Sequence, residues 1–245
     1  MLTFKNFLSL NEELVPTSGT QYGSNPGGVH TDTETGKKYY VKFYNNPEQA
    51  KSEALAGKIY NHMGIGTVNP EYRDMPNHPM GRHAVVTEWN ENLAQMRPRD
   101  FENLNPEQQN QIGRMYHGAV LTKNWDIAGL VQDNIVQNKA NQDLHSVDQG
   151  GVFEFRARGG AKPYGPDIGE HQSLRGNGEA SGHIFDTVFK QNPRAELEGA
   201  KAVKGMNDEH VKNLFATSGL SNSDQLYSNF MARKSKLLQH YGMDD

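Results

Sequence analysis

The sequence predicts an α+β fold with two lobes, a small β-rich N-terminal lobe (residues 14–90) and a larger, mainly helical C-terminal lobe (residues 91–245). Residues 37–45 (KKYYVKFYN) alternate between two sets of side chains, as a strand does. The segment after Asn105 opens with Pro-Glu and continues with an apolar stripe at helical spacing. With 245 residues, the chain is long enough for each lobe to have its own core.

Composition excludes several classes of protein. A hydrophobic content of 35% with 25 Gly and 11 Pro is typical of a soluble, loop-rich globular protein. A net charge of −4 argues against a general nucleic-acid binder. No apolar run approaches the roughly 20 residues of a membrane span, so we expect no membrane partner. The absence of Cys excludes disulfides, thiolate nucleophiles and Cys-ligated zinc, and is compatible with a cytoplasmic location.

The N-terminal lobe is predicted to contain one helix between two strands. A turn-forming segment, residues 17–29, precedes the strand at residues 37–45. The helix begins at Asn46-Pro47-Glu48, where Asn46 can cap and Pro47 fits the first turn, and it ends near Gly64. The second strand is predicted at residues 82–89.

The C-terminal lobe is predicted to follow a link near residues 90–105. The predicted elements are a helix from residue 105, a short strand at 135–136, another short strand ending at 148, one long exposed loop at 159–182, and helices at 207–217 and 222–241.

A glycine-rich segment before the first strand is a candidate phosphate-binding loop. It contains Gly23, Ser24, Asn25, Gly27 and Gly28. Glycines allow several backbone N–H groups to approach a phosphate closely. An ordinary turn between strands has the same composition, so both interpretations stay open on these residues alone.

Lys42 and Glu53 are candidates for an ion pair between the strand and the helix. Lys42 lies on the opposite face of the strand from Val41 and Phe43, and Glu53 lies on a helix face of small residues. A lone strand lysine is most often a solvated charge. Paired with Glu53, however, it could hold a nucleotide phosphate.

Three polar residues of the second half are candidates for metal binding and catalysis. Asp126 follows a predicted helix, Asn134 precedes a short strand, and Asp148 ends another before a Gln-Gly-Gly turn. Amide and carboxylate oxygens suit Mg²⁺, which takes one or two protein ligands. Asn134 and Asp148 fit that role, which leaves Asp126 to deprotonate an acceptor hydroxyl.

The ordered set of these residues resembles the protein-kinase-like superfold, and most closely its atypical branches, the phosphatidylinositol kinases and the HipA-type kinases. Val147-Asp148-Gln149-Gly150 resembles the Asp-Phe-Gly metal motif, and Asp133-Asn134-Ile135 resembles the end of the lipid-kinase catalytic loop. The resemblance extends from Gly19 to Gly160. It implies a bilobal kinase-like fold that binds ATP and Mg²⁺ and transfers a phosphoryl group to a hydroxyl of a protein substrate. It also implies that the strand end at Thr87, Glu88 and Trp89 presents backbone groups to the adenine.

Two departures from the kinase pattern concern the catalytic loop. Asn134 follows Asp126 by eight residues, whereas kinases usually place the Asn five residues after the Asp. Asn124-Trp125 replaces the usual His-Arg. The longer spacing leaves Asp133 as an alternative catalytic residue. Transfer of AMP, or a catalytically inactive nucleotide-binding protein, are the alternative functions.

The first thirteen residues, MLTFKNFLSLNEE, have two interpretations. They can form a short amphipathic helix that packs on its own domain. They also resemble the capsid-targeting peptides of T-even-type phages, which end at a Leu-x-Glu site such as Leu10-Asn11-Glu12. That resemblance implies a phage-encoded protein that is cut by a prohead protease, carried in the capsid and delivered to the host cytoplasm.

Overall fold

A five-stranded antiparallel sheet forms the N-terminal lobe in the computed structural model, which describes residues 14–18, 25–176 and 180–244. The strands are β1 (Leu14–Ser18), β2 (Gly27–Asp32), β3 (Lys38–Tyr44), β4 (Glu71–Asp74) and β5 (His83–Glu88). Their order across the sheet is β1-β2-β3-β5-β4. Because side chains alternate along a strand, Val41 and Phe43 of β3 enter a core on one face and Lys42 and Tyr44 point to the other.

The helix of this lobe, α1 (Pro47–His62), covers the face of the sheet that carries Lys42. It begins where predicted, because the Asn46 side chain accepts from the backbone N–H of Glu48 and proline occupies the first turn. Ala50 of α1 packs with Tyr44 and Val85 of the sheet. This packing turns Glu53, one turn later, toward Lys42.

A second, three-stranded sheet sits where the two lobes meet. Its strands are β6 (Leu93–Gln95), β7 (Ile135–Asn138) and β8 (Leu144–Ser146), in the order β6-β7-β8. Ile135 pairs with Ser146, and the N–H of Val147 donates to the carbonyl of Asn134 at 2.9 Å. The start of β7 and the end of β8 therefore bring Asn134 and Asp148 to the same edge.

Helices make up the rest of the C-terminal lobe. They are a 3-10 helix (Pro98–Asn103), α2 (Pro106–Thr122), α3 (Glu170–Ser173), α4 (Ala180–Gln191), α5 (Pro193–Lys204), α6 (Asp208–Ala216) and α7 (Ser223–His240). The predicted apolar stripe of α2 is buried at the centre of the main hydrophobic core. None of the helices in the described ranges is long and apolar enough to span a membrane.

Two expectations from the sequence are wrong in this lobe. Residues 159–182 do not form one exposed loop: they include α3 and the start of α4, and Lys162, Tyr164 and Leu174 are buried. The polar groups of this segment are compatible with burial because they find partners, as when the Tyr164 hydroxyl donates to the carbonyl of Leu121 at 2.7 Å. Helices α4 and α5 were not expected either.

Two parts of the predicted organisation fall outside the described residues. These are residues 1–13, the expected capsid-targeting peptide, and residues 19–24, which contain Gly23 and Ser24 of the expected phosphate loop.

Candidate active site

A cavity of about 480 Å³ lies between the five-stranded sheet and the three-stranded sheet, a size that is usual for a small-molecule site. Its lining residues are Tyr40, Lys42, Glu53, Val68, Val85, Thr87, Glu88, Trp89, Asn90, Leu93, Gln95, Asp133, Asn134, Val136, Val147 and Asp148. Valine, leucine and aromatic side chains contribute apolar surface, and Lys42 is the basic residue among the lining residues, beside the carboxylates of Glu53 and Asp148. A ligand with an apolar ring and an anionic tail fits this lining where Lys42 or a bound cation meets the tail.

Lys42 lies between two carboxylates. Its ammonium is 3.2 Å from Oε1 of Glu53 and 2.5 Å from Oδ1 of Asp148. Lys42 and Glu53 are 7% and 3% exposed, and the Tyr44 hydroxyl donates to the other oxygen of Glu53. Burial lowers the pKa of Lys42, but the charge of Glu53, followed by Tyr44 and Asp148, raises it well above its ordinary value. The lysine is therefore a fixed cation at the cavity wall.

Asp148 is held in an unusual backbone conformation. Its φ is +57°, in the left-handed region that non-glycine residues rarely adopt. The side chain of Gln149 donates to the carbonyl of Ser146 at 2.9 Å, which fixes the turn. Burial alone would raise the pKa of Asp148, but the Lys42 ammonium and the N–H of Gly150 lower it below its ordinary value. Asp148 is thus a stable carboxylate that faces the cavity.

The donor set of Asn134 and Asp148 fits Mg²⁺. Nδ2 of Asn134 donates to the backbone carbonyl of Asp126 at 2.7 Å. Because a carbonyl can only accept, this bond fixes the orientation of the amide and leaves Oδ1 of Asn134 for a cation. Oδ1 of Asp148 is bonded to Lys42, which leaves Oδ2. One amide oxygen and one carboxylate oxygen are hard ligands of the kind that Mg²⁺ takes from proteins.

The long spacing between Asp126 and Asn134 is folded back on itself. The bond from Asn134 to the Asp126 carbonyl joins the two ends, and the N–H of Gly129 donates to the same carbonyl at 3.0 Å. Gly129 has φ +75°, and a Cβ at this position would overlap Oδ1 of Asp133. The extra residues therefore project outward as a tip at Leu130 and Val131, which are 82% and 65% exposed.

The two candidate catalytic carboxylates differ in their surroundings. Asp126 is half-buried, and burial, followed by the charges of Asp148 and Asp133, raises its pKa to about 6. Its backbone N–H donates to Oδ1 of Asn124 at 3.0 Å, so the start of the loop is fixed. Asp133 is exposed and lines the cavity, whereas Asp126 lies outside the lining.

The glycine-rich segment is placed differently from the prediction. Gly27 and Gly28 are not in the turn: both lie in β2, where Gly27 pairs with Lys42 and Gly28 with Val41. A Cβ at Gly27 would overlap the carbonyl oxygen of Val41. Gly27 therefore allows β2 to approach β3 beside the lysine. Asn25 lies just before β2.

At the end of β5, the backbone N–H of Trp89 is not available to the expected adenine. The backbone N–H of Trp89 donates to the carbonyl of Lys38 at 3.0 Å, so it is already used within the sheet. The neighbouring pair, Glu88 and Tyr39, is then a non-hydrogen-bonded pair, and the backbone groups of Glu88 point away from β3. Since β4 begins opposite Val86, Glu88 lies beyond the paired part of β5 and lines the cavity.

Three buried polar residues around the site were missed by the sequence analysis. Nε2 of Gln49 donates to the carbonyl of Gly150 at 3.0 Å. Nζ of Lys162 donates to the carbonyls of Lys123 and Gly151 at 2.5 and 2.6 Å, and burial, followed by the charge of Lys123, lowers its pKa to about 7. Arg233 of α7, fully buried, forms an ion pair with Glu170.

Comparison with known proteins gives matches at the level of structure. No family model and no curated protein matches the sequence. The proinflammatory kinase CtkA of Helicobacter pylori matches 93% of this chain over 94% of its own, with a TM-score of 0.57 and 12% identity.

Two further solved structures match less well. The PAN3 pseudokinase of Drosophila melanogaster matches 94% of this chain and 68% of its own, with a TM-score of 0.37 and 13% identity. The choline kinase LicA of Streptococcus pneumoniae matches 98% of this chain and 91% of its own, with a TM-score of 0.39 and 12% identity. The α+β architecture, with its small antiparallel N-terminal lobe, its helical C-terminal lobe and the CtkA match, gives this chain a protein-kinase-like fold.

Proposed function

We propose that the protein is an ATP- and Mg²⁺-dependent phosphotransferase with a protein hydroxyl as acceptor. The observation that carries this proposal is the position of the Lys42 ammonium, between Glu53 of α1 and Asp148 at the end of β8, at the wall of a cavity between the lobes. A buried lysine held by a helix glutamate beside a metal-binding aspartate is the arrangement that kinases use to bind nucleotide phosphates.

Each group at the cavity has a role in this proposal. Lys42 binds the phosphates together with the segment around Gly23, Ser24, Asn25, Gly27 and Gly28, and the backbone of Glu88 and the side of Trp89 face the adenine. Asn134 and Asp148 would hold Mg²⁺, which would supply positive charge to stabilise the phosphates in the transition state. In this proposal the nucleotide lies between an N-terminal lobe of residues 14–90 and a C-terminal lobe of residues 91–245.

Asp126 is the proposed base. It takes the proton of the acceptor hydroxyl as the oxygen attacks the γ-phosphorus, and the bond to the bridging oxygen breaks to release ADP. A pKa of about 6 leaves it ionised at neutral pH yet basic enough to accept a proton. Asp133, which lines the cavity, is the competing candidate.

Label transfer tests this function. The full chain is incubated with Mg²⁺, bacterial lysate proteins and ATP labelled in either the γ- or the α-phosphate. Transfer of the γ label alone is expected, and it should be lost in Asp148→Asn and in Lys42→Met. Transfer of the α label would instead identify an AMP transferase. Nucleotide binding without transfer of either label would identify an inactive binding protein.

Delivery with a phage capsid is a further proposal, based on the Leu10-Asn11-Glu12 site of the N-terminal segment. Mass spectrometry of purified virions is expected to find the protein with a new N-terminus at Glu13. A protein that is present in virions with an intact N-terminal segment would contradict cleavage, and one that is absent from virions would contradict packaging.

A further inference from the structure

Three basic side chains surround Trp125, the residue next to the proposed base. Nζ of Lys162, Cζ of Arg156 and Nζ of Lys123 lie 5.0, 5.2 and 5.4 Å from the centroid of its ring. The Trp125 side chain is 40% exposed rather than packed into the core. The ring makes cation–π contacts with the charged members of this set while one part of it stays open to solvent.

The positive charge of this cluster is only partly neutralised. Glu170 accepts from Nε1 of Trp125 at 3.2 Å, but it is shared between Lys123 at 3.5 Å and the buried Arg233. Arg156 is exposed, and it forms no ion pair with any carboxylate of residues 14–18, 25–176 and 180–244. The cluster therefore presents a guanidinium that an anionic group from outside can bind.

An apolar tip lies on the same catalytic loop. Leu130 and Val131 are exposed, yet the loop that carries them is anchored: Gln132 is buried, and its Nε2 donates to the carbonyl of Ala180 at 3.3 Å. The tip follows Asp126 by four residues and precedes Asp133 by two. Two large apolar side chains held outward beside a reaction centre are available to a partner.

We propose that Trp125, Arg156 and the Leu130–Val131 tip form an acceptor-docking surface for a protein segment that carries an acidic side chain and an apolar side chain near its hydroxyl. This inference rests on the proposed phosphotransferase function. Charge complementarity selects the acidic residue, which Arg156 binds through its fork of N–H donors. Leu130 and Val131 select the apolar residue, since exposed apolar side chains gain free energy when they are buried against another apolar side chain.

Peptide binding tests docking separately from transfer. Labelled serine peptides that differ only at flanking positions (Glu, Gln, Lys or phosphoserine, each with Leu or Ser nearby) are titrated with the full chain without ATP, with fluorescence anisotropy as the readout. The Glu-Leu peptide is expected to bind about tenfold more tightly than the Gln-Leu and Glu-Ser peptides.

Arg156→Glu is expected to reverse the preference toward Lys, and Leu130→Ser to remove the preference for Leu. Arg194→Glu, the same charge change at an exposed position of α5, is the matched control and should change neither preference.

The outcomes separate this inference from the proposed function. If wild type prefers the Glu peptide and Arg156→Glu reverses this preference, the docking surface is supported, even if no label is ever transferred. Equal binding of the Glu and Gln peptides overturns the docking surface, even if transfer occurs. Tight binding of the phosphoserine peptide alone also overturns it, since the surface would then require prior phosphorylation.

Discussion

The Lys42 ammonium lies 2.5 Å from Oδ1 of Asp148, a residue 106 positions later in the chain. This contact joins the sheet of the N-terminal lobe to the turn after β8. It therefore holds the proposed phosphate-binding and metal-binding groups together. Preorganised charges of this kind need little rearrangement when a transition state forms.

Removal of the lysine is expected to affect both stability and transfer. Lys42→Met leaves Glu53 in a buried site without its cation, which should lower the free energy of unfolding by about 3 kcal/mol and reduce transfer by at least about 100-fold. Urea unfolding and γ-label transfer measure the two effects. Lys38 lies on the same strand as Lys42 and forms an exposed ion pair with Glu91. Lys38→Met should therefore lower the free energy of unfolding by less than about 0.5 kcal/mol.

A second substitution separates the two roles of this lysine. Lys42→Met/Glu53→Gln should recover most of the lost stability, because it removes the unpaired carboxylate, but it should recover none of the transfer. Equal stability of the single and the double variant would show that Glu53 does not require Lys42 for its burial.

The raised pKa of Asp126 predicts a pH-dependent stability. Its folded value of about 6 lies above the ordinary 3.8, so the folded state holds this proton more tightly than the unfolded state. The contribution is fully present below about pH 4 and is lost as the pH rises through about 6. Asp126→Asn should therefore gain about 1–2 kcal/mol relative to wild type between about pH 4 and pH 7.5, a value reduced for partial solvent exposure.

Urea unfolding at the two pH values measures this gain. Asp244→Asn, at an exposed position, is the control and should show no such change. The same titration predicts that transfer by wild type rises with pH through about 6, since only the carboxylate accepts a proton. Asp133 would be the base if transfer by wild type did not change with pH across this range and if Asp133→Asn, rather than Asp126→Asn, abolished transfer.

Two glycines distinguish backbone strain from displacement of the catalytic loop. Gly36 and Gly129 have similar φ values, +70° and +75°, but a Cβ at Gly36 meets no atom within 4 Å, whereas one at Gly129 would overlap Asp133 and lie 3.1 Å from Cγ of Asn134. Both Ala variants should lose about 1 kcal/mol of stability. Only Gly129→Ala should also reduce transfer, by about 10- to 100-fold. Thermal unfolding and label transfer test this, and an equal transfer rate in both variants would contradict the role given to Gly129.

The buried Arg233 is expected to be among the most sensitive positions for stability. Its guanidinium donates to the carbonyls of Val120, Gly165 and Asp167 and pairs with Glu170. Arg233→Met should lower the free energy of unfolding by at least about 3 kcal/mol. Lys236→Met, three residues later in the exposed pair with Asp167, should cost less than about 0.5 kcal/mol by the same urea measurement. Similar losses in both variants would contradict this account.

Local patterns made part of this structure predictable. The caps at Asn46 and Asn105 marked helix starts correctly, because a cap acts within three residues. The contact between Lys42 and Glu53 followed from the alternation of β3 and the small residues of α1. The apolar spacing of α4 also indicates a helix, but this helix was not predicted because the glycine-rich residues before it are typical of a loop.

The rest depends on contacts that no local pattern encodes. Gln49 and Lys162 bond to backbone carbonyls, which every residue offers, so their partners leave no trace in the sequence. Gln49 and Gly150 are 101 positions apart. Trp125 is a similar case: an aromatic residue after a helix suggests packing against the core, whereas Trp125 is 40% exposed and its ring contacts basic side chains that are distant in the sequence, such as Arg156.

Arg233 also determines when the fold of the C-terminal lobe can be completed during synthesis. The ribosome makes Lys42, Asp126 and Asp148 long before it makes α7, and a nascent chain that stops short of residue 233 has a buried Glu170 without the guanidinium that pairs with it. The carbonyl of Val120, at the end of the helix that leads into the catalytic loop, also lacks its donor. The C-terminal lobe therefore cannot complete these contacts until α7 has left the ribosome.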